Sequence, residues 1–195
     1  MLQYNSSMTS CCSQLCELLR DGCSLEDVTA FVQEHPESVT ERDETTGRLA
    51  LHNAVEESKG EDNETLNKVA LLLCANPKGA AEADTMGKLP LHLLAAQSAF
   101  RPLMLHLLLK LYGGATIVRD SNGSFPLHIA IVTMNFETAM LLLREYVGAM
   151  DGTVTEGFET LLQLALDCEA PDEFIRLLAD RAPEGKIVSP SHCFE

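Results

Sequence analysis

Tryptophan is absent, and aromatic residues make up only 5% of the chain. A core organised around large rings is therefore excluded, and the interior must be filled by the leucine and alanine that dominate the 46% hydrophobic content. Positive charge is also scarce: 14 lysines and arginines face 29 aspartates and glutamates, for a net charge of −15. That balance excludes a general nucleic-acid binder, because a phosphate backbone has to be met by cations. Long apolar runs are missing as well. The most apolar stretch, Leu103 to Leu111, is interrupted by His106 and Lys110 and falls short of the ~20 residues a membrane span needs, so no membrane insertion is expected. No basic segment leads into an apolar one near the beginning, the first cation being Arg20, so no secretory leader is expected.

Catalytic signatures are lacking too. Gly113-Gly114 leads into no Lys-Ser/Thr pair, and neither a nucleophile elbow nor a His-Glu-x-x-His motif occurs. The expectation is a protein that is not an enzyme and needs no cofactor. The seven cysteines are odd in number and irregularly spaced, which reads as free thiols in a reducing compartment. The expected location is the cytoplasm, with the nucleus left open.

What is present is a repeated phrase. Asp84-Thr85-Met86-Gly87-Lys88-Leu89-Pro90-Leu91-His92 is echoed by Asp120-Ser121-Asn122-Gly123-Ser124-Phe125-Pro126-Leu127-His128 and by Thr46-Gly47-Arg48-Leu49-Ala50-Leu51-His52. A worn copy follows at Thr160-Leu161-Leu162-Gln163. From the proline position, Ala50 to Pro90 spans 40 residues, Pro90 to Pro126 spans 36 and Pro126 to Leu161 spans 35, a period that indicates a stacked array. Asp-x-x-Gly predicts a tight turn, in which Gly supplies a positive φ at no steric cost. Proline suits the first position of the helix that follows. Each phrase leads into a short apolar helix, a break, and a second leucine-rich helix.

This unit resembles the ankyrin repeat, whose signature is a turn, Thr-Pro-Leu-His-x-Ala and two helices. The resemblance covers roughly residues 43 to 183. The family's threonine is replaced by Leu49, Leu89 and Phe125, so its Thr–His contact is expected to be missing. The resemblance implies an all-α, ankyrin-type helical solenoid of about five helix pairs. Residues 1–8 are expected to be frayed and 9–42 to form a degenerate N-terminal capping repeat, with Ser24 and Asp27 opening its second helix. Full repeats are expected at 43–83 (with an acidic insertion), 84–119 and 120–153. A C-terminal capping repeat is expected at 154–183 and a disordered tail at 184–195. The helix around Leu103 to Leu111 is apolar almost all round and is expected to be covered on more than one face.

Carried over from the resemblance, the positions facing a concave groove are Thr45, Thr46, Arg48, Glu56 and Glu57 in the first repeat. In the next two they are Thr85, Met86, Lys88, Ala96 and Gln97, and Ser121, Asn122, Ser124, Val132 and Thr133. Such a groove implies a partner protein bound by a chain that is itself monomeric, as a complete protein or as the scaffold part of a larger one. Arg48 and Lys88 would form a short basic line. Residues 1–64 carry 14 acids and 4 bases, 65–150 carry 5 and 7, and 151–195 carry 10 and 3. A mildly basic waist between acidic ends suits an acidic or phosphorylated segment. The resemblance gives His52, His92 and His128 a structural role. A different class of reading, metal or redox regulation, rests on Cys11, Cys12, Cys16 and Cys23. Cys12 and Cys16, at i and i+4, share a helix face and could hold two corners of a zinc site, with Cys23 or His35 beyond, although paired Cys-x-x-Cys knuckles are missing.

Overall fold

The computed structural model describes residues 10–57, 63–146 and 158–180. The expectations for 1–8 and 184–195, most of the acidic insertion, and the turn before the fifth helix pair lie outside these. Among the described residues the chain is all-helical, without a strand. The helices run in sequential pairs: α1 (Cys11–Arg20) and α2 (Leu25–Glu34), α3 (Ala50–Glu56) and α4 (Asn63–Ala75), α5 (Pro90–Ala95) and α6 (Pro102–Leu111), α7 (Pro126–Val132) and α8 (Phe136–Tyr146), α9 (Phe158–Asp167) and α10 (Asp172–Asp180). None is long and apolar enough to cross a membrane.

Local chemistry explains the boundaries. Ser10 caps α1 by accepting the Ser13 N–H. Ser24 and Asp27 form the full reciprocal capping box that opens α2, at 3.2 Å in each direction. Pro90 and Pro126 start α5 and α7, where the absent N–H has no helical partner to lose. A 3₁₀ turn follows each of the first three second helices, at Pro36–Val39, Pro77–Ala81 and Gly113–Ile117. Their first residues do end the helices, as the sequence indicates, but the chain continues as a tighter helix instead of opening into a loop.

Within each pair the two helices touch, and the first helices also form a series: α1 meets α3, α3 meets α5, α5 meets α7 and α7 meets α9. The second helices follow on one side, with α2 against α4, α4 against α6, and α10 against α8. One continuous core runs through them, from Leu15 and Val28 through Leu72, Leu91 and Leu105 to Leu142 and Phe174. Phe136 and Phe174 carry it across the last two pairs, with ring centroids 5.9 Å apart.

Helix α6 departs from expectation. It buries Met104, Leu105, Leu108 and Leu109 but leaves Leu103 59% and Leu111 42% exposed. Its partners are α4, α5 and the 3₁₀ turns at Pro77–Ala81 and Gly113–Ile117, and Leu103 and Leu111 lie outside the face these cover.

Candidate functional site

The three Asp-to-Gly turns are built the same way. Asp84 N–H donates to the Lys88 carbonyl at 3.0 Å and Gly87 N–H to the Asp84 carbonyl at 2.9 Å, while Asp120 pairs with Ser124 and Gly123 at 2.9 Å each. The Asp84 carboxylate accepts the backbone N–H of Met86 and Lys88 at 2.8 and 2.9 Å. Asp120 accepts those of Asn122 and Ser124 at 2.9 Å. The first turn is one residue longer, and there Asp43 accepts the hydroxyls and backbone N–H groups of Thr45 and Thr46. These bonds, the Thr45 hydroxyl foremost, pull the Asp43 carboxyl down to about 2.

Backbone bonds join the turn tips in a line. Thr85 N–H donates to the Thr46 carbonyl and Ser121 N–H to the Met86 carbonyl, both at 2.9 Å. Gly87 has φ of +71°, and a Cβ there would lie 3.0 Å from the Ser121 nitrogen. Glycine is needed at that position both for its backbone conformation and for the close approach of the next turn.

Each short helix is locked onto its turn by histidine. His52 and His92 Nδ1 accept the backbone N–H of Leu49 and Leu89 at 3.1 Å, and His128 Nδ1 accepts that of Phe125 at 3.2 Å. The contact expected to vanish with the threonine side chain is thus replaced by one from the backbone, which any residue supplies. This is half a capping box with imidazole in place of a carboxylate. Burial lowers the pKa of all three rings, which favours the neutral form, and with Nδ1 accepting, the single ring proton of each lies on Nε2.

Several residues expected to face a partner turn out to hold the units together. Arg48 pairs with Glu56, and its Nε lies 3.4 Å from Asp84 in the next turn. Its cation is therefore compensated, and the expected basic line reduces to Lys88, which makes no ion pair among the described residues. Glu57 lies 3.7 Å from Arg20. The Gln97 side chain donates back to the carbonyls of Val55 and Glu56, and Thr133 donates to that of Ala95 at 3.0 Å. Ala96 is exposed, and Ser124 is half-buried behind its turn. Thr85, Met86, Ser121, Asn122 and Val132 remain at the surface.

A residue the sequence reading passed over does similar work. Arg42 donates to the carbonyls of Gly47 and Ala83 at 2.8 and 2.7 Å. Arg119 repeats the first bond with Gly123 at 3.0 Å and lies over the Phe125 ring. The signal was available: both arginines immediately precede a turn aspartate.

The Arg48 bridge gives a testable asymmetry. The Asp84 side chain is 2% exposed, whereas that of Glu56 is 48% exposed. Arg48→Gln leaves a buried carboxylate short of its counter-charge and is expected to destabilise the fold by ~2 kcal/mol in urea unfolding. Glu56→Gln breaks only a surface pair and is expected to cost ~0.5 kcal/mol.

The cysteines separate into two environments. Cys12 and Cys16 face the core, their sulfurs 3.9 Å apart. Cys16 accepts an N–H from Asn53, and Cys12 lies against the Arg48 carbonyl. The hydrogen bond between the two thiols pulls Cys16 down and pushes Cys12 up. His35 does not complete this pair as the sequence suggested; it faces Cys11 instead. A cleft of about 310 Å³ lies between the ends of α1, α3 and α4, lined by Arg20, Asp21, Glu57, Glu64 and Lys68. Its cations are already paired with Glu57 and Glu64.

No family model matches this chain, and no curated protein does either.

Proposed function

We propose that this chain is a non-enzymatic ankyrin-type helical solenoid that binds a partner protein along its line of turn tips and the ends of its first helices. The observation that carries this reading is the backbone-bonded row from Thr46 through Thr85 and Met86 to Ser121. It presents Met86, at 49% exposure, and Asn122 at fixed spacing on a rigid base. Preorganisation of this kind lowers the entropy lost on docking. With Arg48 compensated, the case for an acidic or phosphorylated segment rests on Lys88 alone. Adaptable apolar contact at Met86, Val132 and Met134 becomes the stronger basis for recognition.

Met134 extends this apolar surface. It takes φ of +57° at the link between α7 and α8, with its side chain 64% exposed. The conformation is that of a helix cap: Met134 N–H donates to the Ile131 carbonyl and Asn135 N–H to the Ala130 carbonyl, both at 2.9 Å, the pair of bonds that closes a helix on a left-handed residue. Glu169 takes the same conformation after α9, at φ of +51°, so the case for Met134 as a contact rests on its exposed apolar side chain. Met134→Gly is expected to raise the urea midpoint while weakening the partner complex.

The site is tested by placing a photo-reactive residue at 86, 122 or, as a control on the outer layer, 111, and irradiating the full chain in cell extract. A shared adduct at 86 and 122, lost in a Met86→Glu, Met134→Glu background, supports the reading. Adducts confined to 111 would move the interface to the outer helices.

A further inference from the structure

We propose that Cys11, His35 and Glu37 form a binding site for a zinc-class divalent cation, with the fourth coordination position open to water. This inference is independent of partner binding. Their donor atoms all lie within 4.8 Å of one another. His35 Nδ1 is 3.3 Å from Glu37 Oε1 and 3.9 Å from Cys11 Sγ. Tetrahedral bonds of ~2.1 Å to nitrogen and oxygen and ~2.3 Å to sulfur imply edges of ~3.4 Å for N···O and ~3.6 Å for N···S. These two edges differ from the ideal by a few tenths of an ångström and the third, from Cys11 to Glu37, is within 4.8 Å, so a cation at their centre requires side-chain adjustments of about 1 Å at most.

The backbone holding these donors is fixed before any ion arrives. His35 N–H donates to the Phe31 carbonyl at 2.8 Å, and its own carbonyl accepts from Ser38 N–H at 3.1 Å. The imidazole packs on Phe31, with centroids 4.9 Å apart. The Glu37 carbonyl accepts the N–H groups of Thr40 and Glu41. Cys11 opens α1, and the next residue's N–H is tied to Glu41 at 2.8 Å, which pins this helix end to the 3₁₀ turn. Two donors thus come from one rigid turn and the third from a helix clamped to it.

Donor chemistry selects the ion. One thiolate, one imidazole and one carboxylate suit zinc and its neighbours and disfavour magnesium or calcium, which take oxygen ligands. The side chains of His35 and Glu37 are 41% and 59% exposed, leaving a path for the ion and room for water. Binding requires Cys11 to release its proton, so affinity should rise with pH. Bridging α1 to the 3₁₀ turn, the ion would stabilise the N-terminal pair by mass action.

Cobalt(II) is the probe. The full chain, reduced with a phosphine and stripped with a chelator, is titrated with Co²⁺ and then competed with Zn²⁺. One equivalent is expected to give tetrahedral d–d bands and a thiolate-to-cobalt charge-transfer band, both displaced by zinc. The charge-transfer band should disappear in Cys11→Ser, and affinity should fall at least ~10-fold in His35→Gln and Glu37→Gln. Cys16→Ser should retain the band. Circular dichroism checks each variant for folding, and Glu37→Gln, a change at an exposed carboxylate, keeps the test decisive if Cys11→Ser misfolds. Absence of a thiolate band, its survival in Cys11→Ser, undiminished affinity in Glu37→Gln, or loss of the band with Cys16→Ser overturns the assignment.

Discussion

Replacing His92 by alanine is expected to remove ~3 kcal/mol of stability. The ring is 0% exposed, and its Nδ1 is the acceptor for the buried Leu89 N–H at 3.1 Å. Two losses therefore combine. The Leu89 N–H is left without a partner, at ~1–3 kcal/mol, and the volume of the fully buried ring is left as a void in the core, at a similar scale. Urea unfolding followed by circular dichroism measures the sum.

Two further variants separate these contributions. His92→Gln keeps an acceptor that can reach back to the helix start, as glutamine does in a capping box, and should recover more than half of the loss. If glutamine were no better than alanine, the effect would be one of volume, and the histidine's part in closing the turn would be disproved. His128→Ala should cost less, because that ring is only half-buried. Because neighbouring units stabilise one another, a central defect at His92 should also broaden the transition in a way that an end defect does not.

The legible part of this fold was local. Asp84, Gly87, Pro90 and His92 lie within nine residues, and each acts on its own turn, so the sequence pattern carried the turn, the helix start and the histidine's role together. The capping box at Ser24 and Asp27 was readable for the same reason. What escaped was the use of side chains across units. Arg48 looked like a free cation because its partner Asp84 is 36 residues away, and Gln97 looked free because the carbonyl it seeks belongs to Val55. The exposure of Leu103 and Leu111 was hidden because composition shows that a helix is apolar without showing how many neighbours it has. Cys11 and His35 were both noticed, but pairing them requires the helical phase of α1, which turns Cys12 and Cys16 inward and leaves Cys11 facing the 3₁₀ turn.

Acidification from about pH 7.5 to 5.5 is expected to destabilise the folded chain through these same rings. Burial lowers the pKa of His52, His92 and His128 below the unfolded value of ~6.5. Between the folded and unfolded values the unfolded chain binds more protons, so stability rises with pH there. It is fully present above ~6.5 and is lost as pH falls through the folded values. Neighbouring charges modulate the rings without reversing the sign. Asp84 opposes the effect of burial at His52 while Arg48 reinforces it, Asp120 and Lys88 do the same at His92, and Arg119 reinforces it at His128 against Asp120. Cys16, drawn down by Cys12 and Asn53, contributes with the same sign, so the measurement belongs in a Cys16→Ser background. Asp43, held near 2, supplies stability that is lost only as pH drops from ~4 towards that value, outside this window. The slope of unfolding free energy against pH should be positive, correspond to an uptake of one proton per ring at most, and flatten in His52→Gln, His92→Gln. A flat profile in the parent chain would mean that the rings are not held neutral, and Nδ1 could not then accept the N–H groups that close the three turns.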